Sequence, residues 1–231
     1  MKLSKRLEMI ASLVPEGSIP ADIGTDHGYI PIYLIENQIA ARAIALDINK
    51  GPLERVRMHI VGHGLKGQIE TRLSDGLKEV KPGEVDTMIA AGMGGALTIR
   101  ILENSPEIVA SIREFILQPQ SEIHKVREYL SRHDFCLVAE DMIEEDGKYY
   151  PIMKLVHGKE SEYSREELYY GRILLEERHP VLYQFLKREE SLKEQICRGL
   201  AGQEGERALL RRREIEEEIA GVRRALAVYQ M

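Results

Sequence analysis

Cysteine is nearly missing from the 231 residues: Cys136 and Cys197 are the only two, and neither belongs to a C-x-x-C pair. This excludes a zinc framework or disulfide scaffold and fits a reducing compartment, where both thiols serve as packing residues. No apolar run is long enough to span a bilayer. The first segment, MKLSKRLEMIASLVPEG, spreads its apolar residues at helical spacing where a secretory signal would gather them, so a cytosolic protein with no membrane anchor is expected. Basic residues are not in excess either, with 32 Lys and Arg against 38 Asp and Glu for a net charge of −6. That balance weighs against a nonspecific polyanion binder. The deficit is uneven, however: from Arg165 onward, thirteen basic residues match thirteen acidic ones, so a local basic face on the tail stays open.

The chain does contain a strand-helix alternation long enough for one sizeable α/β domain and a small appendage. SIPADIG reads as a strand and GYIPIYLIENQ as the helix after it. ARAIALDI and GPLERVRMHIVGHG repeat the pattern, with Pro52 in a first helical turn. GQIETRLSDG and EVDTMIAAGMGG supply two more strands, and ALTIRILENS a helix. REFILQPQ is a fifth strand, stopped by Pro119, EIHKVREYLSRH a helix, and FCLVAEDMIEE a sixth strand. Asp146-Gly147 then sits between two strand-like runs with the preference of a type I′ hairpin. Five βα repeats imply a parallel sheet, to which the hairpin adds one antiparallel strand. This order predicts a seven-stranded methyltransferase-type sheet over residues 1–160.

From about Ser161 the composition turns to Glu, Arg, Leu and Lys. Residues 161–231 are expected to form a coiled-coil-like helical hairpin, roughly Arg165 to Leu200 and Gly205 to Gln230, joined through GLAGQEGE. Ile215, Ile219, Val222 and Leu226 would line one seam. Leu168, Leu175, Leu182, Leu192 and Ile196 would line the other, with Pro180 bending that helix. The simple role of such a hairpin is self-packing; the functional one is to grip a substrate.

In an open α/β sheet, ligands bind beyond the carboxyl ends of the strands. In the first such loop, Asp22 to Gly28, Gly24 and Gly28 allow close backbone approach and Asp22 can accept hydrogen bonds. G-x-G-x-x-G is lacking. A carboxylate at Asp26 would repel a pyrophosphate, whereas S-adenosylmethionine carries a sulfonium and no phosphate, so the loop favours that donor over NAD. Asp47, about 20 residues beyond the glycines, is placed for ribose hydroxyls, and Asp75, beside Gly76, for an adenine amino group. Helix N-capping is the simpler role for each acid. Ala91, Gly92, Met93, Gly94 and Gly95 carry no acid, base or nucleophile and would make room for donor and substrate. The Asn/Asp-Pro-Pro-aromatic turn of exocyclic-amine methyltransferases is missing there, so a ring nitrogen is the more natural acceptor. Asp26 would serve it by accepting from an adjacent amino group or stabilising the cation formed, with His27 or Tyr29 orienting the base. No cysteine adjoins the site to support covalent catalysis. His59 and His63, four apart, lack an intervening acid, so no metal is expected. Gln118 and Gln120 end the fifth strand at the same edge and can touch a base, while Lys5 and Arg6 can meet phosphates from the first helix.

LSKRL at 3–7, DIGTDHGYIP at 22–31, AGMGG at 91–95, ILQPQ at 116–120 and EEDGKYY at 144–150 together resemble the bacterial tRNA (adenine-22-N1)-methyltransferase family, nearly end to end. The resemblance implies a Rossmann-like class I catalytic domain, S-adenosylmethionine as donor with S-adenosylhomocysteine as product, and a helical hairpin that helps hold tRNA, with Arg207, Arg211, Arg212 and Arg213 as candidate contacts. ILQPQ departs at Gln120 from the family's LQPN. A small-molecule or protein methyltransferase, or a nucleotide-binding regulatory module, is the alternative. Nothing in the sequence sets the oligomeric state, a monomer being the simplest reading.

Overall fold

The computed structural model describes residues 1–200 and 205–230. The chain divides into two compact units, Met1–Ala139 with Ile143–Ser161, and Glu140–Met142 with Glu162–Met231. The first begins with α1 (Lys5–Ser12), entered through Ser4, whose hydroxyl accepts from the Leu7 amide, and anchored by buried Ile10 and Ala11. The alternation follows: β1 (Pro20–Ile23), α2 (Tyr29–Glu36), β2 (Ala43–Asp47), α3 (Lys50–Gly62), β3 (Ile69–Leu73), β4 (Thr87–Gly94), α4 (Gly95–Glu103), α5 (Pro106–Ser111), β5 (Glu114–Ser121), α6 (Ile123–Arg132), β6 (Phe135–Glu145) and β7 (Lys148–His157).

The seven strands form one sheet in the order β3-β2-β1-β4-β5-β7-β6. β1 to β5 run parallel and β7 pairs antiparallel with β5, through Phe115 opposite Leu155 and Leu117 opposite Met153. Asp146 and Gly147 both adopt positive φ, 52° and 73°, as the two central residues of a type I′ turn require. The strand order reverses at β1, which lies between β2 and β4, so the carboxyl end of β1 is where a ligand crevice opens. Ile32, Leu34, Met88, Ile89, Phe115 and Ile116 are fully buried around it.

Three local expectations need correction. Five βα repeats is one too many, because no helix joins β3 to β4; residues 74–86, with Gly76, Pro82 and Gly83, run through turns instead. Pro119 does not stop β5, which continues to Ser121. Its missing N–H is tolerated because the pairing with β4 is irregular there, shifting register between Ala91 and Met93. For the same reason Ala91 to Gly94 form the bulged end of β4 and not a free loop.

The second unit holds α7 (Arg165–Tyr170), α8 (Arg172–Glu176), α9 (Pro180–Leu200) and α10 (Glu206–Ala227). The first long helix expected from sequence is thus three. It breaks at Gly171, where φ is 98° and an added Cβ would meet a Glu140 carboxylate oxygen at 2.5 Å. That carboxylate also accepts from the Leu174 amide in the first turn of α8. Pro180 starts α9 and does not bend it, as a first-turn proline should. Ile215, Ile219, Val222 and Leu226 of α10 are buried, as are Leu175 and Leu182, but Leu192 and Ile196 are 48% and 40% exposed. From Leu182 and Leu186 the helical period carries the buried face to Glu190, Lys193 and Glu194, and Leu192 falls out of phase. Ion pairs fill that stretch: Lys193 with Glu218 at 2.7 Å, and Arg223 with Glu190 and Glu194 at 3.0 and 2.6 Å. Half of the GLAGQEGE connection, residues 201–204, lies outside the described residues.

Candidate active site at the end of the first strand

The chain leaves β1 through Gly24, at φ 71°, and the amides of Gly24 and Thr25 both donate to the Leu46 carbonyl of β2, at 2.8 and 3.0 Å. This ties the loop to the neighbouring strand and opens a cavity of about 300 Å³ at the sheet's carboxyl edge. Asp22, Gly24, Thr25, Asp26, His27 and Tyr29 form one side of it; Arg6, Leu7, Ile30, Ala91, Gly92 and Gln120 form the rest. Asp22 is 5% exposed. Burial pushes its carboxyl up to about 6, the Thr25 hydroxyl pulling the other way and nearby Asp47 adding to the rise. The Thr25 hydroxyl forms no hydrogen bond of good geometry, and buried His27 Nδ1 has no partner.

At the rim the side chains are more open. Asp26 is 63% exposed, and its Oδ1 accepts from Arg55 Nη2 at 2.8 Å while Oδ2 lies 3.5 Å from His27 Nε2. His27 stacks on Tyr29 with ring centres 5.2 Å apart, and both stack on His59 of α3, at 5.4 and 5.9 Å. Arg55 and His59 were not expected here, since nothing local in the sequence ties α3 to residues 26–28. His59 Nδ1 bonds the His27 carbonyl and His63 Nδ1 bonds Glu36. Among the described residues no group of three or more His, Cys, Asp or Glu is arranged to hold a metal ion.

Other expected residues separate into those at the cavity and those behind it. Gly92 faces Gln120 and Arg6 across it, whereas Gly28, Gly76 and Gly95 make room for protein: added Cβ atoms would meet Val56 at 2.9 Å, Ile101 at 3.0 Å and the Ser121 carbonyl at 2.6 Å. Gly94 faces Ser121 likewise, and Met93 reaches back to Gly24. Asp47 accepts from the Asn49 amide at 2.7 Å, ahead of α3, and Asp75 pairs with Lys78 at 2.6 Å, which lowers its carboxyl below the usual range. Neither Asp47 nor Asp75 lines the cavity. Gln118 is fully buried, so it does not face a substrate; it accepts from Arg6 at 3.0 Å. Arg6 also lies over the Tyr150 ring at 5.6 Å, a contact that fixes its guanidinium at the cavity wall. Lys5 is exposed beside it.

In the second unit, Arg211 and Arg212 are paired with Glu214 and Glu216, each at 2.8 Å, while Arg207 and Arg213 are exposed. A cavity of about 370 Å³ in this unit is lined by five glutamates, among them Glu189 and Glu218, a poor surface for phosphates.

Comparison with known proteins agrees with this geometry. A methyltransferase domain family matches residues 3–153. The Bacillus subtilis tRNA (adenine(22)-N(1))-methyltransferase is 40% identical over 153 residues, 66% of this chain and 64% of that enzyme, so the match spans slightly less than two thirds of its length. The solved structure of the B. subtilis m1A22 tRNA methyltransferase superposes with a TM-score of 0.86 at 31% identity, covering 97% of this chain and 99% of that one. The chain belongs to the tRNA (m1A22) methyltransferase family. A Streptococcus pneumoniae protein, Sp1610, solved in complex with S-adenosyl-L-methionine, is 34% identical with a TM-score of 0.87 over 97% of this chain and 100% of that chain. The β1 cavity suits such a ligand. Its buried lining of a carboxyl, a hydroxyl and an unpartnered ring nitrogen fits a cation without phosphates, and Gly24 and Gly92 leave the backbone bare to it.

Proposed function

We propose that the protein transfers the methyl group of S-adenosylmethionine to N1 of adenine 22 in tRNA. The observation that carries this reading is the β1 cavity: a buried acid at its base and an exposed acid among stacked rings at its rim, in a chain of this family. Asp22 and the backbone at Gly24 and Gly92 hold the donor's cationic end. Asp47, and Ile48 beside it at 60% exposure, meet the donor's nucleoside part, with Asp75 further along the same edge. When bound, the donor supplies an electrophilic methyl group: the N1 lone pair forms the new C–N bond as the S–CH₃ bond breaks, and positive charge passes from sulfur to adenine.

The residues at the rim have the remaining work. N1 lies on the pairing edge of adenine, so the base must be turned out of its pair to arrive. Tyr29, 37% exposed and continuing from the His27 ring, offers it a stacking surface. Asp26 accepts from the exocyclic amine and balances the charge that develops on the ring. Gln120 and Arg6 close the far wall. Residues 162–231 serve as the tRNA-gripping arm through exposed Arg207 and Arg213, with Arg211 and Arg212 joining where their ion pairs open.

Incubation with methyl-labelled donor and unmodified total tRNA tests the reading. Label in 1-methyladenosine supports it; donor binding with no transfer to RNA, or transfer to a protein or small molecule, refutes it. Asp26→Ala should lower turnover by about 100-fold, within the range seen when one transition-state contact is lost, with donor affinity changed by less than about threefold. Equal loss of both would place Asp26 in the donor pocket alone.

A further inference from the structure

Arg55 and His59 stand one helical turn apart on α3, and Val56 lies next to them. Each reaches a different residue of the β1 loop. Arg55 Nη2 donates to Asp26 Oδ1 at 2.8 Å. His59 Nδ1 lies 2.9 Å from the His27 carbonyl oxygen, which can only accept, so the proton is on Nδ1. Val56 Cγ1 would sit 2.9 Å from a Cβ on Gly28, so the bare Gly28 backbone rests directly on the Val56 side chain. His27 itself adopts φ 63°, a left-handed conformation that a residue with a side chain keeps only when its surroundings impose it. One turn of α3 therefore holds Asp26, His27 and Gly28 in place.

We infer that Arg55 and His59 are positioning residues for methyl transfer. The inference rests on the methyltransferase reading above and adds to it how the acceptor is oriented. Arg55 occupies Oδ1 of Asp26, which stops the exposed carboxylate from rotating and leaves Oδ2 as the acceptor for an N–H of the incoming base. His59 fixes the His27 backbone and stacks on its ring at 5.4 Å, so that the His27 and Tyr29 rings stay within 10° of parallel. The base is thereby offered one hydrogen-bond acceptor and one ring face in a fixed relation, as in-line attack on a methyl group demands.

The test uses the full chain with His59→Ala, His59→Asn, His59→Phe and Arg55→Ala, each checked by circular dichroism. Single-turnover methylation of tRNA at saturating donor should fall about tenfold to 100-fold in H59A and R55A, the scale on which misplacement by an ångström acts. Donor affinity by calorimetry should stay within about threefold, because neither residue lines the cavity. H59N should restore most of the rate, since its amide nitrogen can stand where Nδ1 stands; H59F keeps a ring but no donor and should not. Hydrogen exchange at residues 24–29 should quicken in H59A and return to the wild-type rate in H59N. Wild-type rates in H59A, equal rescue by H59N and H59F, or donor affinity lost in step with rate would each overturn the proposal. If the wild-type protein methylates no tRNA, it is the functional reading that fails; the exchange data then decide this proposal alone, unchanged exchange in H59A overturning it.

Discussion

Asp22→Asn should make the protein without donor more stable at pH 8 while weakening donor binding. Asp22 is nearly inaccessible, and its carboxyl is pushed from 3.8 to about 6 by burial first, with repulsion from Asp47 adding to it. An acid whose pKa is raised by folding binds its proton more tightly in the native state. The Asp22 contribution to stability is therefore greatest below about pH 4, falls as pH rises through the interval from 3.8 to about 6, and is level above it. At 1.36 kcal/mol per unit, the ionised carboxylate costs about 3 kcal/mol at pH 8. An amide of the same shape carries no such cost, so D22N should gain up to about 3 kcal/mol there and nothing below pH 4. The same charge should attract a cationic donor. If binding needs the ionised form, wild-type affinity should drop about tenfold from pH 8 to pH 5, and the D22N affinity should be weak and flat with pH. Urea unfolding followed by circular dichroism, with calorimetric titration of S-adenosylmethionine, measures both. D22N no more stable than wild type at pH 8, or donor affinity independent of pH in the wild type, would mean that the Asp22 carboxylate is not the costly, donor-attracting charge of this cavity.

Gly28→Ala should destabilise by about 2 kcal/mol, since φ is 70° and the new Cβ meets Val56 at 2.9 Å. Adding Val56→Ala removes the clash, so in denaturant titrations the double variant should lose less than the two single losses combined. Arg207→Ala with Arg213→Ala should raise the KM for tRNA about tenfold, flatten its salt dependence and leave donor affinity unchanged. Arg211→Ala with Arg212→Ala should cost less, because Glu214 and Glu216 already neutralise those residues. The reverse ranking would mean that these ion pairs open when tRNA binds.

The alternation of strands and helices was readable because each element's apolar spacing and turn residues are local, and Asp146-Gly147 marked its hairpin on the same grounds. Errors came where a distant partner decides the outcome. Pro119 can remain in β5 only because β4 is bulged opposite it. Leu192 and Ile196 looked like seam residues from their apolar character, yet the buried face set by Leu182 and Leu186 passes through Lys193. The site divides the same way. Asp22, Gly24, Asp26, His27 and Tyr29 are contiguous and were found together. Gly28 and Gly95 looked like room for a ligand, because sequence shows that a glycine is needed without showing which neighbour needs it. Arg55 and His59 were overlooked as site residues because their partners are about thirty residues away; their spacing of four, facing a glycine loop, is the signal they left.

Methyl transfer to one atom of one nucleotide is read out by primer extension on two tRNA transcripts incubated with the protein and S-adenosylmethionine. One transcript carries adenine at position 22 and the other guanine. Methylation at N1 blocks pairing, so a new stop immediately 3′ of position 22 should arise in the adenine transcript alone, dependent on both enzyme and donor. Full-length extension of both transcripts, or a stop at another position common to both, would contradict it.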